Sequence, residues 1–229
     1  MENLFKKRSW ISIFALLMFS FGSLSHGAME KKHWEFNLNP GFSLPGGNNN
    51  DLENQSLSVE GAVEYMWSRK WSAGFEVGHD FKHRLDGTYF FDFDGDGVVE
   101  PLKAQSDESL KVFRMGPFIK MGETSDWGTW GVRYVRRYFV FGTGVYRKSN
   151  PSGEYTLSGE SSDGTDWEGV KYPFKGNSTS HWGLNLGVGF EVEVWSRGIM
   201  GFDIRFHSLF QSGKNAQYWI PSLKFGYIF

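Results

Sequence analysis

Residues 181–195 alternate without interruption between apolar and polar side chains, and this pattern limits the fold more than any other feature of the chain. The apolar positions are Trp182, Leu184, Leu186, Val188, Phe190, Val192 and Val194. The positions between them are His181, Gly183, Asn185, Gly187, Gly189, Glu191 and Glu193. Successive side chains of a β-strand point to opposite faces, so this two-residue period predicts a strand with one apolar and one polar face.

The same period returns along the chain and predicts eight antiparallel strands joined as an up-and-down meander. They cover residues 33–44, 57–67, 71–81, 110–121, 131–147, 181–195, 199–207 and 218–229. In the fifth strand Arg133 and Arg137 share a face, but the parity of the apolar residues is lost after Tyr138. A bulge or a late strand start would explain that loss. Long connections at 45–56, 82–108 and 148–180 alternate with short ones such as 68–70 and 196–198.

The composition of the two strand faces indicates which side meets water. The apolar faces carry large aromatic residues, which make up 18% of the chain, and the polar faces mix charges with many of the 29 glycines. An inside-out barrel has this distribution, because lipid covers the large apolar side chains and a narrow lumen holds small and paired charged ones. Strands of about ten residues are long enough to cross a bilayer when tilted. We therefore predict an all-β, eight-stranded transmembrane barrel, with a soluble secreted barrel as the alternative.

The polar faces predict the content of the lumen. They contribute Glu35, Glu64, Glu76, Arg114, Lys120, Glu191, Glu193, Asp203, Arg205, His207 and Lys224. One hypothesis is a polar channel or ligand tunnel. The other is a network of ion pairs that fills the lumen, which is favoured because an eight-stranded barrel is only wide enough for its own side chains.

The first residues have the pattern of an export signal. A basic segment from Lys6 to Arg8 precedes the short apolar run 10–21, and small residues follow near Gly27. We predict a signal peptide over residues 1–27 and a single barrel domain over 28–229. An uncleaved anchor helix is the alternative. The net charge of −2 gives no reason to expect nucleic acid as a partner, and the absence of cysteine excludes disulfides.

Tryptophans fall near the predicted strand ends. With a periplasmic N-terminus, one rim holds Trp34, Trp67, Trp71 and Trp195, and the outer rim holds Trp182 and Trp219. Amphipathic rings of this kind form aromatic belts at both membrane–water boundaries. The sorting of the tryptophans therefore supports a membrane barrel over a soluble one.

The last strand carries a second indication of the same class. The segment "PSLKFGYIF" places Leu223, Phe225, Tyr227 and Phe229 on one face, and it resembles the C-terminal signal that the barrel-assembly machinery recognises in bacterial outer-membrane proteins. With eight strands and the tryptophan rims, the chain resembles the small outer-membrane barrels of the OmpA/OmpX/OmpW type. The resemblance implies a monomeric protein of the Gram-negative outer membrane, with outer-membrane lipid and lipopolysaccharide as its surroundings.

The segment "DFDGDGVVE" has the beginning of a calcium-binding loop. Asp92, Asp94, Asp96, Val98 through its carbonyl, and Glu100 occupy the first, third, fifth, seventh and ninth ligand positions. Lys103 stands at the twelfth position, where a complete EF-hand loop has a bidentate Glu. The pattern predicts weak Ca²⁺ binding, with a Kd of about 10⁻⁴–10⁻³ M, in the second external loop. An ion-free turn rich in Asp and Gly is the alternative.

Three functions remain open from the sequence. The first is a structural or surface-interaction barrel whose long loops carry any recognition. The second, which the OmpW-like resemblance implies, is a narrow channel or carrier for small, hydrophobic molecules. The third is a lipid A-modifying hydrolase, because "DIRFHS" resembles part of the lipid A deacylase barrels. His207 and Ser208 are adjacent and must point to opposite faces of a strand, so we predict no enzyme and no catalytic residue.

Overall fold

The computed structural model describes residues 32–46, 54–85, 87–91, 100–126, 132–160, 166–194, 197–211 and 215–229. Within these ranges the strands are β1 (His33–Gly46), β2 (Ser56–Met66), β3 (Trp71–Arg84), β4 (Gly87–Phe91), β5 (Glu100–Gln105), β6 (Ser109–Asp126), β7 (Val132–Asn150), β8 (Gly153–Glu160), β9 (Asp166–Phe174), β10 (Asn177–Val194), β11 (Gly198–Leu209) and β12 (Ala216–Ile228). None of the described segments forms a helix long and apolar enough to cross a bilayer.

Eight of these strands close into one antiparallel barrel, which confirms the predicted fold. The order around the barrel is β1-β12-β11-β10-β7-β6-β3-β2. The seam pairs the two ends of the chain, with Glu35 beside Ile228 and Gly46 beside Gln217. At the end of the seam the amide of Phe229 donates a hydrogen bond of 2.9 Å to the carbonyl of Trp34. A closed barrel has no free edge, so its backbone groups are satisfied inside a bilayer.

Burial alternates along the barrel strands with the period that the sequence predicts. On β1, Glu35 is 0% exposed while its neighbour Phe36 is 47% exposed. The same inversion holds around the wall, where Phe75, Met115, Phe141, Leu186 and Leu223 are exposed. An apolar belt that encircles a protein is stable in contact with lipid rather than with water. The barrel therefore has a polar inside and an apolar outside.

Two barrel ends are distinguished by their connections. The turn end carries the tight turn between β2 and β3 and the connections from β6 to β7 and from β10 to β11. The loop end carries the longer connections.

The fifth barrel strand, β7, is regular where the apolar–polar alternation of its sequence is lost. From Tyr134 to Tyr146 the even-numbered residues face the lumen, so Tyr138 and Val140 are both buried inside. Because large apolar and aromatic side chains also occupy the lumen face of β7, apolar and polar residues do not alternate clearly in the sequence after Tyr138. A register shift does exist, but it lies at the start of the strand, between the pairs Val192–Val135 and Val194–Val132.

The predicted long loops contain a second sheet. Strands β4 and β5 lie within 82–108, β8 and β9 lie within 148–180, and together they form a four-stranded sheet in the order β4-β5-β8-β9. The two loops join through β5 and β8, where Ala104 pairs with Leu157. The barrel strands run a few residues into the predicted loops, since β1 ends at Gly46, β7 ends at Asn150 and β10 begins at Asn177, and two of the loops continue as sheet.

Candidate functional site

The lumen is filled in three layers, which are built by inward-facing residues of all eight barrel strands. The lower network lies toward the turn end and comprises Glu35, Glu64, Lys120, Arg136, Glu191 and Lys224. The upper network comprises Glu60, Glu76, Asp80, Arg114, Asp203 and Arg205. The third layer, at the loop end, is apolar.

Glu64 is the centre of the lower network. Its carboxylate accepts hydrogen bonds from Lys120 and from Arg136, the latter at 3.1 Å, and Lys224 Nζ lies 3.7 Å away. Glu191 shares Arg136 at 3.2 Å and also accepts from Lys224. These side chains come from β2, β6, β7, β10 and β12, so the network ties together strands that are not neighbours. Buried charges paired in this way avoid the cost of an isolated ion in a low dielectric.

The upper network crosses the barrel. Arg205 on β11 donates a hydrogen bond to Glu76 on β3, and these two strands lie opposite each other in the barrel order. Arg205 also lies 3.2 Å from Glu60 and 3.2 Å from Asp203. Arg114 bonds to Asp80 and lies 3.6 Å from Glu60. The arginine side chains therefore occupy the middle of the lumen.

The apolar layer, here called the apolar mouth, closes the loop end. It consists of Leu85, Leu110, Val112, Tyr146, Leu209, Ala216, Tyr218 and Ile220, all buried. Tyr155 of β8 and Phe174 of β9 pack against it, with their ring centroids 4.4 Å apart. The second sheet thus rests on the barrel through an aromatic pair, and both together cover the lumen at this end.

The structure places the predicted lumen residues as follows. All of them are buried inside the barrel, and Glu193, which is 2% exposed, lies nearest the turn end. The predicted set omits Arg136, Glu60 and Asp80. The omission of Arg136 has a clear cause: the sequence pattern draws attention to Arg133 and Arg137, but Arg136 belongs to the even-numbered, inward face of β7 together with Tyr138. Counting parity back from the regular segment 138–146 would have found it.

The geometry around His207 does not resemble a hydrolase centre. His207 Nδ1 and the hydroxyl of Tyr146 are joined by a hydrogen bond of 2.8 Å at the floor of the apolar mouth. Ser208 follows on the outer face of β11. A nucleophile and its base must be within hydrogen-bond reach of each other, and these two side chains lie on opposite sides of the barrel wall.

The aromatic positions follow the barrel ends. Trp34, Trp67 and Trp71 are exposed at the turn end, and Trp182 and Trp219 are exposed toward the loop end. Trp195 lies outside the described residues. On the last strand the outward face carries Leu223, Phe225, Tyr227 and Phe229, all exposed.

The predicted calcium ligands lie mostly beyond the described part of the chain. Asp92, Asp94, Asp96 and Val98 are outside it, and of Glu100 only the backbone is described, paired with Phe91 in the second sheet. Among the described residues, no group of three or more His, Asp or Glu side chains has a geometry that could hold a metal ion.

Comparisons with known proteins agree with this geometry. No protein-family profile and no curated protein sequence matches the chain. Neisserial surface protein A matches in structure with a TM-score of 0.52 and 11% identity, over 89% of this chain and 100% of that one. Ail, the attachment invasion locus protein of Yersinia pestis, matches with a TM-score of 0.50 and 11% identity, over 87% of this chain and 99% of that one. The chain therefore has the fold of the small eight-stranded outer-membrane barrels of the OmpA/OmpX/OmpW type.

Proposed function

We propose that this chain is an outer-membrane protein with a closed lumen, and that the second sheet at the loop end is the surface that interacts with partners. The observation that supports this most directly is the Arg205–Glu76 contact, which joins opposite walls across the middle of the lumen. The lower network and the apolar mouth fill the space on either side of it. A barrel filled with bonded side chains is a rigid support, and the sheet that it carries is then the surface available to partners.

Measurement of ion conductance tests the proposal that the lumen is closed. Purified protein reconstituted in planar bilayers is expected to give no stable, large conductance, because ions would have to displace buried ion pairs from several strands. Reproducible steps of the size seen with porins would contradict the proposal. The matched variant is Arg205→Ala, which removes the side chain that spans the lumen and should raise current noise if the network closes the pore.

The proposal includes an orientation and a route of assembly. The N-terminus lies in the periplasm, the second sheet faces outward, and the aromatic face of β12 is the signal read by the barrel-assembly machinery. Protease added to intact cells should therefore cut within the second-sheet segments 87–105 and 153–174 but not in the turns at the other end of the barrel. Phe229→Ala should lower the amount of heat-modifiable protein in the outer membrane, whereas Phe210→Ala, which removes another exposed phenylalanine outside β12, should not.

The segment 92–100 is proposed to hold Ca²⁺ weakly and to order the second sheet. Three alternating aspartates are more than a tight turn requires, and strands β4 and β5 pair directly at Phe91, which precedes the motif, and at Glu100, its ninth position. An ion bound between two paired strands would fix the outer edge of the sheet.

Calorimetry on the folded protein tests this site. Titration with Ca²⁺ should give a binding heat with a Kd of about 10⁻⁴–10⁻³ M, which Asp94→Ala removes. Asp107→Ala is the matched control, because Asp107 is an exposed aspartate in the same loop outside the motif. A wild-type protein that gives no heat with Ca²⁺ contradicts the proposal.

The apolar mouth favours a second candidate, the binding of a small hydrophobic molecule. Lumens of transmembrane barrels are polar, yet here the loop-end layer is made of leucine, isoleucine, valine and tyrosine. A ligand would enter by displacing Tyr155 and Phe174. Quenching of intrinsic fluorescence by a small aromatic hydrocarbon, strengthened in Tyr155→Ala and absent in Val112→Asp, would support this candidate, and no saturable quenching in any variant would exclude it.

A further inference from the structure

Among the described residues, the outer wall at the loop end carries its charges on one side only. Lys82, Arg84, Lys111 and Arg147 are exposed there on the neighbouring strands β3, β6 and β7, and together they are called the basic strip. On the outer wall of β11, β12, β1 and β2 the described loop-end residues are uncharged, for example Phe210, Trp219, Leu44 and Leu57. Barrel closure requires the same backbone pairing on every strand, so it does not explain a cluster of cations on one side of the wall.

The basic strip borders the apolar belt directly. Arg147 stands beside Phe113 in the register of β6 and β7, and Lys111 follows two residues away on the same strand. Phe113 and Phe81 are both exposed members of the belt, and Lys82 is the next residue after Phe81. The cations therefore lie at the boundary where hydrocarbon gives way to lipid headgroups.

The chain adopts an unfavourable backbone conformation to expose Lys82. The register of β3 against β6 shifts between Asp80 and His83, and Lys82 has a φ of 58°, the one non-glycine residue with positive φ in the described part of the chain. The bulge leaves Phe81 and Lys82 both outside and returns His83 to the lumen, where its Nδ1 lies 2.8 Å from the carbonyl of Asn54. Bulges re-aim side chains, and backbone strain of this kind concentrates at functional positions.

No described carboxylate neutralises the strip. None of its four side chains forms an ion pair within the described ranges, and Arg147 instead donates a hydrogen bond of 2.9 Å to the hydroxyl of Ser178. The nearest acids along the chain are Glu108 and Asp107, which precede β6 and lie beyond Ser109, the residue that pairs with Arg84. In the part of the chain that the structure describes, the four cations of the strip therefore have no carboxylate as an ion-pair partner.

We propose that the basic strip binds the phosphate groups of a phosphorylated glycolipid, with its acyl chains on Phe81, Phe113 and the exposed Trp182. Lysine and arginine form strong charge-assisted hydrogen bonds with phosphate, and the adjacent apolar belt accommodates hydrocarbon. The ligand class is an anionic lipid rather than a soluble anion, because the cations and the apolar surface are continuous. This inference rests on the proposed outer-membrane location, where the outer leaflet supplies such a lipid.

Native mass spectrometry of the detergent-solubilised protein tests the inference, with bisphosphorylated lipid A, its dephosphorylated form and inorganic phosphate as three separate probes. We expect saturable binding of the phosphorylated lipid, reduced by about ten-fold or more in the triple variant Lys82→Gln/Lys111→Gln/Arg147→Gln. The control triple Lys32→Gln/Lys70→Gln/Arg197→Gln removes three exposed cations at the turn end and should leave binding unchanged. The charge-conserving triple Lys82→Arg/Lys111→Arg/Arg147→Lys should also bind normally and guards against a folding defect in the first variant.

Three results would overturn the inference. These are equal loss of lipid in both glutamine triples, equal binding of the dephosphorylated lipid, and binding of inorganic phosphate as strong as that of the lipid. Heat-modifiable migration on gels verifies that each variant is folded. Fractionation of cell membranes reports the location of the protein separately, so a failure of the proposed location is distinguished from a failure of the lipid site.

Discussion

At the scale of single residues, Glu64 has the largest share in the lumen network. It is 0% exposed and accepts from Lys120, Arg136 and the hydroxyl of Ser72. Neutralising it leaves buried cations without enough negative charge, and breaking a buried pair in this way costs more than the pair contributes relative to an apolar core.

We predict that Glu64→Gln lowers the free energy of unfolding by about 3–5 kcal/mol, measured by urea titration of tryptophan fluorescence in lipid vesicles. Glu123→Gln, an exposed carboxyl of the same barrel, is the control and should change stability by less than about 0.5 kcal/mol. Adding Lys120→Met to Glu64→Gln should restore part of the loss, because one of the unpaired cations is then removed. A single Glu64→Gln variant as stable as the wild type contradicts the role of this residue.

Residue types on the lumen face could be predicted from sequence, but their partners could not. Alternation is a local property of a strand, so it assigns Glu64 and Lys224 to the inside without knowledge of the fold. The contact between these two residues depends on barrel order and shear, which bring β2 and β12 together on either side of β1. The contacts of the glycines could not be predicted from sequence either. Gly189 leaves space for Tyr138, whose hydroxyl would lie 2.7 Å from a Cβ at that position. This neighbour is known only once the strand register is known.

At the scale of elements, the pairing of the two long loops in the second sheet is the part of the structure that the sequence pattern did not predict. Strands β4, β5, β8 and β9 are short, and in β8 the exposed residues Glu154 and Thr156 alternate with the half-buried Tyr155. Their stabilisation comes from pairing between two loops that are far apart in sequence, as in the Ala104–Leu157 pair. Periodicity describes one segment of the chain at a time, so it cannot predict a contact between two separate loops.

The attachment of the second sheet to the barrel leads to a prediction at this scale. Tyr155→Ala should weaken the packing on the apolar mouth by about 2 kcal/mol and speed backbone hydrogen exchange of residues 153–174 by roughly thirty-fold, measured by mass spectrometry. Thr156→Ala, an exposed neighbour on the other face of β8, should leave exchange unchanged. Exchange that rises equally in the barrel strands would mean that Tyr155 stabilises the whole fold rather than the docking of the sheet.

At the scale of the whole molecule, barrel closure joins the strands that are farthest apart in sequence. The seam between β1 and β12 can form only when all other strands are in register, because loop closure over the full chain opposes it until then. The barrel class could be predicted because lipid on one side and a narrow lumen on the other require every strand to alternate apolar and polar residues. The contact between β1 and β12 that closes the barrel could not be predicted, since it depends on how tightly these two strands fit.

Gly41 lies where the backbones of the two end strands approach closely, and it provides the prediction for the whole molecule. A Cβ at Gly41 would lie 2.4 Å from the carbonyl oxygen of Pro221 and 2.7 Å from the Cβ of Ser222, both on β12. We expect Gly41→Val to block the seam, so that the compact, heat-modifiable band is lost or its unfolding free energy falls by at least about 1–3 kcal/mol. Gly61→Val on the adjacent strand β2 is the matched control, because a Cβ there has nothing within 4 Å and the barrel should close normally. If both variants fold alike, closure does not depend on the seam and the order of assembly inferred from it is wrong.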